Sequence, residues 1–454
     1  MDVVKAAVAE AGRPQIKVYK RRWVILVLYV SVLLLNAVPW MQYTVLADVV
    51  TAYYGISYES VEWTALVYNV TATVLVVPAA YFLDKHGLRP SVLLGALLTA
   101  AGLWLRVLGC WPEHWWAVLA GHAIVSIATN FLVSAPPRVA AVWFPANEVS
   151  SAVGASIVGS MGGVSIGCVL APMTARASWT LEENFKGFLG LNLALAMAAT
   201  LLFAAVFFLF KQAPPLPPSP AQAAAAATVP SGNYFASLRT IIKQPSFILL
   251  LVCFNLILSV YVAITTVINR DITEFFPDRT AETGYLATLI CLTGMVATMV
   301  FGIILDKTKK FKELSIITYF GAFASVIMYS VCIATTSMEV LYVVAGIMGV
   351  FMTSYFVPAY EMAVELTYPE PEGNPTSILN WFMQPCSLVF TLAYSRIFTA
   401  YGPHAAHGLL VALMAVGFVS QLFIPKRYRR REAELSLARD ALPAEKPLMK
   451  DAKS

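Results

Sequence analysis

Apolar residues run through this chain in long blocks, and charged residues fall almost entirely between the blocks. Twelve such blocks predict twelve helices. The first six cover 23–47, 61–83, 90–110, 115–138, 149–173 and 187–210. The second six cover 246–268, 284–305, 314–335, 340–361, 376–399 and 405–424. A helix needs about 20 mostly apolar residues to cross a bilayer, and each block is of that order. Backbone amides in lipid must be paired within the segment, so the blocks are predicted to be helices.

Composition agrees with the pattern. Of the 454 residues 59% are hydrophobic and 13% charged, about half the charge of a soluble domain. No polar stretch is long enough for a soluble domain. The predicted organisation is a tail over 1–22, a six-helix half over 23–210, a linker over 211–245, a second half over 246–424 and a tail over 425–454. The linker carries Pro214, Pro215, Pro217, Pro218 and Pro220 and then Ala223–Ala227, a composition that builds no core. The first block is too long for a signal peptide and is taken as a spanning helix.

Charge placement sets orientation. Lys17, Lys20, Arg21 and Arg22 precede the first block, Lys85 and Arg89 follow the second, Lys307, Lys309, Lys310 and Lys312 follow the eighth, and Lys426, Arg427 and Arg429–Arg431 follow the twelfth. The positive-inside rule then puts both termini in the cytoplasm, with the plasma membrane as the default location. These short basic loops give no reason to expect nucleic-acid binding. The six cysteines lie at wide spacings, with no metal or redox motif. No cofactor and no metal are expected, and a monomer is.

An internal repeat ties the halves. Leu83-Asp84-Lys85 returns 222 residues later as Leu305-Asp306-Lys307, and Ala141-Val142 returns at the same offset as Ala363-Val364. Parallel repeats of this kind are typical of major facilitator transporters. Asp84 and Arg89 in one half, Asp306 and Lys307 in the other, and Glu361 with Glu365 one helical turn apart are candidates for a cytoplasmic gate. The plainer alternative is that the bases serve topology alone.

Polar stripes inside the blocks supply the candidate binding residues. Asn36, Trp40 and Tyr43 share one helix face beside Pro39, which should kink the helix. Asn380, Gln384 and Ser387 repeat the spacing beside Pro385; His122, Ser126, Asn130 and Ser134 form a third stripe, and Asn255, Ser259, Tyr261 and Thr265 a fourth. Polar side chains avoid lipid, so the stripes should face inward, either into a cavity or into hydrogen bonds between helices. Trp40 and Tyr261 should lie at similar depth, with Gln384 nearer the cytoplasm. Two π faces on one cavity are the usual recognition device for a quaternary ammonium; for Trp40 the alternative is interfacial anchoring. No Asp or Glu is expected in the middle of a span, and His122 is expected to be the one buried histidine. That pattern favours facilitated diffusion over proton coupling. Gly154, Gly159, Gly162, Gly163 and Gly167 suggest close packing where the halves rock.

Several stretches resemble the feline leukaemia virus subgroup C receptor-related transporters, a branch of the major facilitators: Asn36–Tyr43, Leu83-Asp84 with Gly87-Leu88-Arg89, Ala141–Phe144, Leu305–Lys309, and Ala363–Glu370 with Glu372-Gly373. The resemblance implies the major facilitator fold and transport of choline, ethanolamine or haem. It implies that Trp40 and Tyr261 form the choline cage and that Gln384 is its amide. Met161 stands where the family pattern has a glutamine in the fifth helix, which removes a polar contact. The leading expectation is an alternating-access uniporter for choline, ethanolamine or a similar small cation. A haem or porphyrin exporter using His122, and a non-transporting receptor, are the alternatives. No paired carboxylates or nucleophile–base spacing suggest an enzyme.

Overall fold

The computed structural model describes residues 17–145, 148–218, 239–277, 279–308, 310–335, 337–368 and 373–426. Among them there are helices and turns and no strand. Twelve long helices cross the bundle. The first half contains α1 (Arg21–Ala37, resumed as Ala47–Tyr54), α2 (Tyr58–His86), α3 (Leu88–Leu108), α4 (Trp115–Val133 and Pro136–Trp143), α5 (Val149–Thr174) and α6 (Leu181–Leu209). The second contains α7 (Pro245–Phe275), α8 (Thr280–Thr308), α9 (Phe311–Thr335), α10 (Met338–Ser354 and Phe356–Thr367), α11 (Gly373–Tyr401) and α12 (Pro403–Phe423).

Ten of these are long and apolar enough to cross a membrane. The other two are α1, whose unbroken piece is 17 residues long, and α11. Local chemistry explains the break in α1. Pro39 has no N–H to give to the preceding turn, and the chain tightens into bonds from Trp40 N–H to the Ala37 carbonyl and from Gln42 N–H to the Pro39 carbonyl. A short 3-10 turn at Thr44–Leu46 then leads back into helix, which ends on Gly55 at φ 66°, a left-handed position that suits glycine.

Loops fix the other ends. Ser57 caps α2 by accepting from Ser60 N–H, and Thr180 with Glu183 forms a capping box on α6. The repeated Leu-Asp-Lys motif closes α2 and α8 in turn, and the repeated Ala-Val lies in the second piece of α4 and of α10. Each half thus breaks its fourth helix near the same end.

Several helices outrun their predicted blocks. The seventh was expected to stop at 268 and continues to Phe275. Asp271 is therefore helical and wholly buried, a correction to the reading of its neighbourhood as loop. The glycines of α5 are also reassigned. A side chain on Gly163 would overlap the Leu34 carbonyl, so this glycine packs α5 on α1 inside the first half; between the halves the close approach belongs to Gly284 of α8, against the Cys168 carbonyl of α5.

Most of the second half shares one apolar core running from Ile241 to Ile424. The first half has two of its own. A further cluster joins Met41, Tyr43 and Cys168 of the first half to Ala287 and Cys291 of the second. Arg21 Nη2 donates to the Leu209 carbonyl at 3.0 Å, and Lys312 Nζ to the Leu422 carbonyl at 3.3 Å. The start of α1 thus lies beside the end of α6, and the start of α9 beside the end of α12; this is called the termini end, and α1 finishes at the opposite, far end. Linker residues 219–238, tail residues 1–16 and 427–454, Lys309, and Pro369, Glu370 and Glu372 lie outside the described residues.

Candidate functional site

The joint cluster is bordered by the candidate aromatics. Trp40 is half-buried at the break of α1, packed on the cluster and 6.0 Å from the Tyr68 ring. Tyr261 is half-buried on α7, its hydroxyl 3.7 Å from Cys291 Sγ in the same cluster. Met161 on α5 is also half-buried. On α11, Asn380 accepts from the Tyr360 hydroxyl at 2.8 Å, and Gln384 is half-buried with no hydrogen-bond partner among the described residues. Trp381 spans the halves by donating from Nε1 to the Thr73 carbonyl at 3.0 Å. These half-buried groups lie on helices of both halves.

The rest of the stripes are packed away. Asn36 is buried and donates to Thr99 Oγ1 at 2.9 Å and to the Val125 carbonyl at 3.2 Å, while accepting from Thr129 at 2.8 Å. Asn130 donates within its own helix to the Ser126 carbonyl at 2.9 Å. Tyr43 is wholly enclosed: Asn192 donates to its hydroxyl at 3.1 Å, and its ring lies 5.4 Å from that of His122. His122 Nδ1 meets the Val118 carbonyl at 3.0 Å.

At the far end the two halves bond directly. Asp48 N–H donates to Asn269 Oδ1 at 3.0 Å, and Asn269 Nδ2 donates to the Val45 carbonyl and to Asp48 Oδ1, each at 3.1 Å. Beside them, Glu62 of α2 accepts from the Ser395 hydroxyl at 3.0 Å and lies 3.8 Å from Arg270 Nη1. Arg270 also donates to Ser395 Oγ at 2.9 Å and to Thr399 Oγ1 at 2.7 Å, with its guanidinium 4.3 Å from the Phe398 ring centre. Arg270 thus keeps partners in its own half, whereas the polar contacts of Glu62 reach across to the other half.

The termini end is arranged differently. Arg89 donates to the Phe207 carbonyl at 3.0 Å, and its backbone N–H to Gln212 Oε1 at 2.7 Å. Asp84, Lys307 and Glu361 are exposed and Glu365 is buried. The side chain of Asp306 lies outside the described set. Arg22 pairs with Glu148 at 3.0 Å inside the first half, and Lys426 pairs with Glu313 inside the second.

One expectation about charge is corrected, and buried charges near the helix ends are added to the picture. Carboxylates are buried in the spanning helices: Glu62, 3% exposed, and Asp271, fully buried. Each lies four residues from the far end of its helix, not at mid-depth. His122 is not the one buried histidine, since His407 is 4% exposed. The sequence reading also passed over Arg106, a charge inside the third block, wholly buried with Nη2 donating to Gln42 Oε1 at 2.7 Å. Its position in an apolar run was a legible signal. Asn269-Arg270-Asp271 was not, because three polar residues after an apolar run look like a loop.

The bundle of twelve helices in two repeated halves, meeting around a half-buried level, defines a secondary transporter. The profile of the Major Facilitator Superfamily matches residues 25–391, and the chain belongs to that superfamily as an integral, multi-pass membrane transporter. Its relatives place it in the branch that the motifs resemble. A Danio rerio protein named choline/ethanolamine transporter flvcr2b is 32% identical over 92% of this chain and 87% of its own length. The Homo sapiens choline/ethanolamine transporter FLVCR2 is 30% identical over 95% of this chain and 82% of its own length. An uncharacterized MFS-type transporter of Caenorhabditis elegans is 33% identical over 92% of this chain and 71% of its own. Solved structures share the fold at low identity. An inward-facing bacterial homologue of the lysosomal transporter Spinster has a TM-score of 0.64 at 13% identity, covering 94% of this chain and all of that one. The Escherichia coli fucose:proton symporter FucP has a TM-score of 0.60 at 14% identity, covering 90% and 100%.

Proposed function

We propose that this transporter is a facilitative uniporter of choline, ethanolamine or a closely related small organic cation. One observation carries the reading: Trp40 and Tyr261, one from each half, are half-buried beside the cluster that joins the halves. Desolvated π faces attract an ammonium by up to about 2 kcal/mol, and the unpartnered amide of Gln384 offers an acceptor for a hydroxyl. The names of the relatives point to the same cargo. Haem fits less well, because His122, the expected axial ligand, is enclosed behind Tyr43.

Alternating access follows from two gates. The far gate is Asp48–Asn269 with Glu62–Arg270–Ser395. The opposite gate uses Asp84, Arg89, Asp306, Lys307, Glu361 and Glu365 at the termini end. Both termini and the 211–245 linker are cytoplasmic, the membrane is the plasma membrane, and the unit is a monomer. The mid-depth level has no carboxylate among the described residues, so cation recognition rests on aromatic rings and the amide. Uptake of labelled choline and ethanolamine into expressing cells tests this, with Trp40→Ala as control. Uptake no greater than in empty cells rejects the cargo.

A further inference from the structure

Beside the far gate lies a second polar cluster that the transport reading does not use. Asp271, next in sequence to the gate residue Arg270, is fully buried. Tyr394 donates to its Oδ1 at 2.6 Å and Tyr329 to its Oδ2 at 3.2 Å. His407 of α12 completes the group. Its Nε2 is 3.3 Å from the Tyr394 hydroxyl and 3.8 Å from Asp271 Oδ1, and its Nδ1 is 3.3 Å from Ser330 Oγ.

A count of hydrogens shows what the site can hold. A hydroxyl has one proton to give. Tyr394 gives its proton to Asp271 at 2.6 Å, and Ser330 gives its proton to the Val326 carbonyl at 2.8 Å. In this arrangement both ring nitrogens of His407 face acceptors. A neutral imidazole has one N–H and would leave one of these contacts unmade; an imidazolium satisfies both.

We propose that His407 is a proton-binding site, its charge shared with Asp271, and that the bound proton favours the closed far gate. The inference goes beyond the cargo reading and does not depend on it. With the proton bound, the His407–Asp271 pair is neutral overall, and Glu62 is the carboxylate left to Arg270. Without it, Asp271 carries a negative charge beside Arg270 and competes with Glu62 for the guanidinium. A proton held more tightly in the closed state must stabilise that state as pH falls. The groups around the site are Asp271 and Arg270 on α7, Tyr329 on α9 and Tyr394 on α11, with Glu62 of α2 reached through Arg270. His404 on the same helix points away, against Phe275.

The test needs no substrate. Spin labels replace Glu59 and Tyr401, both exposed and on opposite halves at the far end, in a background with Cys332→Ser and Cys386→Ser, and the full chain is held in lipid nanodiscs. Distances measured from pH 8.5 to 5.5 should shift toward the short, closed population. The closed-to-open ratio should change about tenfold for each pH unit by which the two states differ in proton affinity. His407→Gln and Asp271→Asn should each abolish the shift. Ser330→Ala, which removes only the Nδ1 acceptor, should move its midpoint to lower pH and serves if the other variants fail to fold. A distance distribution that ignores pH in the parent, a response that survives in His407→Gln, or an unmoved midpoint in Ser330→Ala overturns the proposal.

Discussion

Among the described residues each half of this transporter has one Asp, Glu, Lys or Arg side chain with no exposure at all, Arg106 and Asp271, and the two halves treat it in opposite ways. In the first half Arg106 is wholly buried with no carboxylate partner among the described residues. Its neighbours are an amide, Gln42, and the Tyr43 ring at 5.0 Å, while Nε and Nη1 find no acceptor. In the second half Asp271 is surrounded by donors from three helices. A guanidinium is weakly hydrated and tolerates a π face, whereas a carboxylate needs directed hydrogen bonds. One charge is accommodated by packing and the other by a network. Arg106 also grips the two residues that follow Met41 at the α1 break, so it braces the segment presenting Trp40.

The largest test of this contrast compares stabilities. Asp271→Ala leaves His407 and two phenols without their acceptor and should cost about 3–5 kcal/mol. Arg106→Met, which keeps the stem and removes the charge, should stay within about 1.5 kcal/mol of the parent. Thermal unfolding in detergent measures both, and equal losses would erase the distinction. Next come the two aromatics. Trp40→Ala should raise the KM for choline uptake about tenfold and Tyr261→Ala less, since tryptophan is the better π face; a reversed order would move the cation toward the second half.

Glu62→Gln probes the bond between the halves. Removing one partner of a buried charge pair leaves the other uncompensated and should lower the closed population at the far end at least about fivefold, by the same spin-label distances. No change would mean that Asp48–Asn269 holds the gate unaided. The smallest effect is expected from Asn380→Ala. It removes one hydrogen bond to Tyr360, worth about 1 kcal/mol or less, and should alter uptake no more than a few-fold, whereas Asn36→Ala breaks three contacts in the first half and should lower the unfolding midpoint more.

Much of this architecture was legible in the residue pattern. Apolar blocks announced the helices, because backbone in lipid has no other way to pair. Pro39 announced the break in α1, and the Leu-Asp-Lys repeat announced equivalent helix ends. The stripes were legible only as inward-facing. Asn36 and Trp40 share a face by spacing, yet one is locked among Thr99, Val125 and Thr129 and the other borders the joint cluster. Spacing gives the side of a helix and not the neighbour across from it.

The sequence alone thus determined a membrane bundle of two repeated halves and the aromatic residues eligible to meet a cation. Tertiary structure decided where the charges went. Asn269-Arg270-Asp271 resembles a loop until α7 is seen to continue, and only the packing of α2, α9, α11 and α12 brings Glu62, Tyr329, Tyr394 and His407 to it. Local chemistry is written in consecutive residues; the partner that makes a buried charge tolerable comes from elsewhere in the chain, more than three hundred residues away for Glu62 and Ser395.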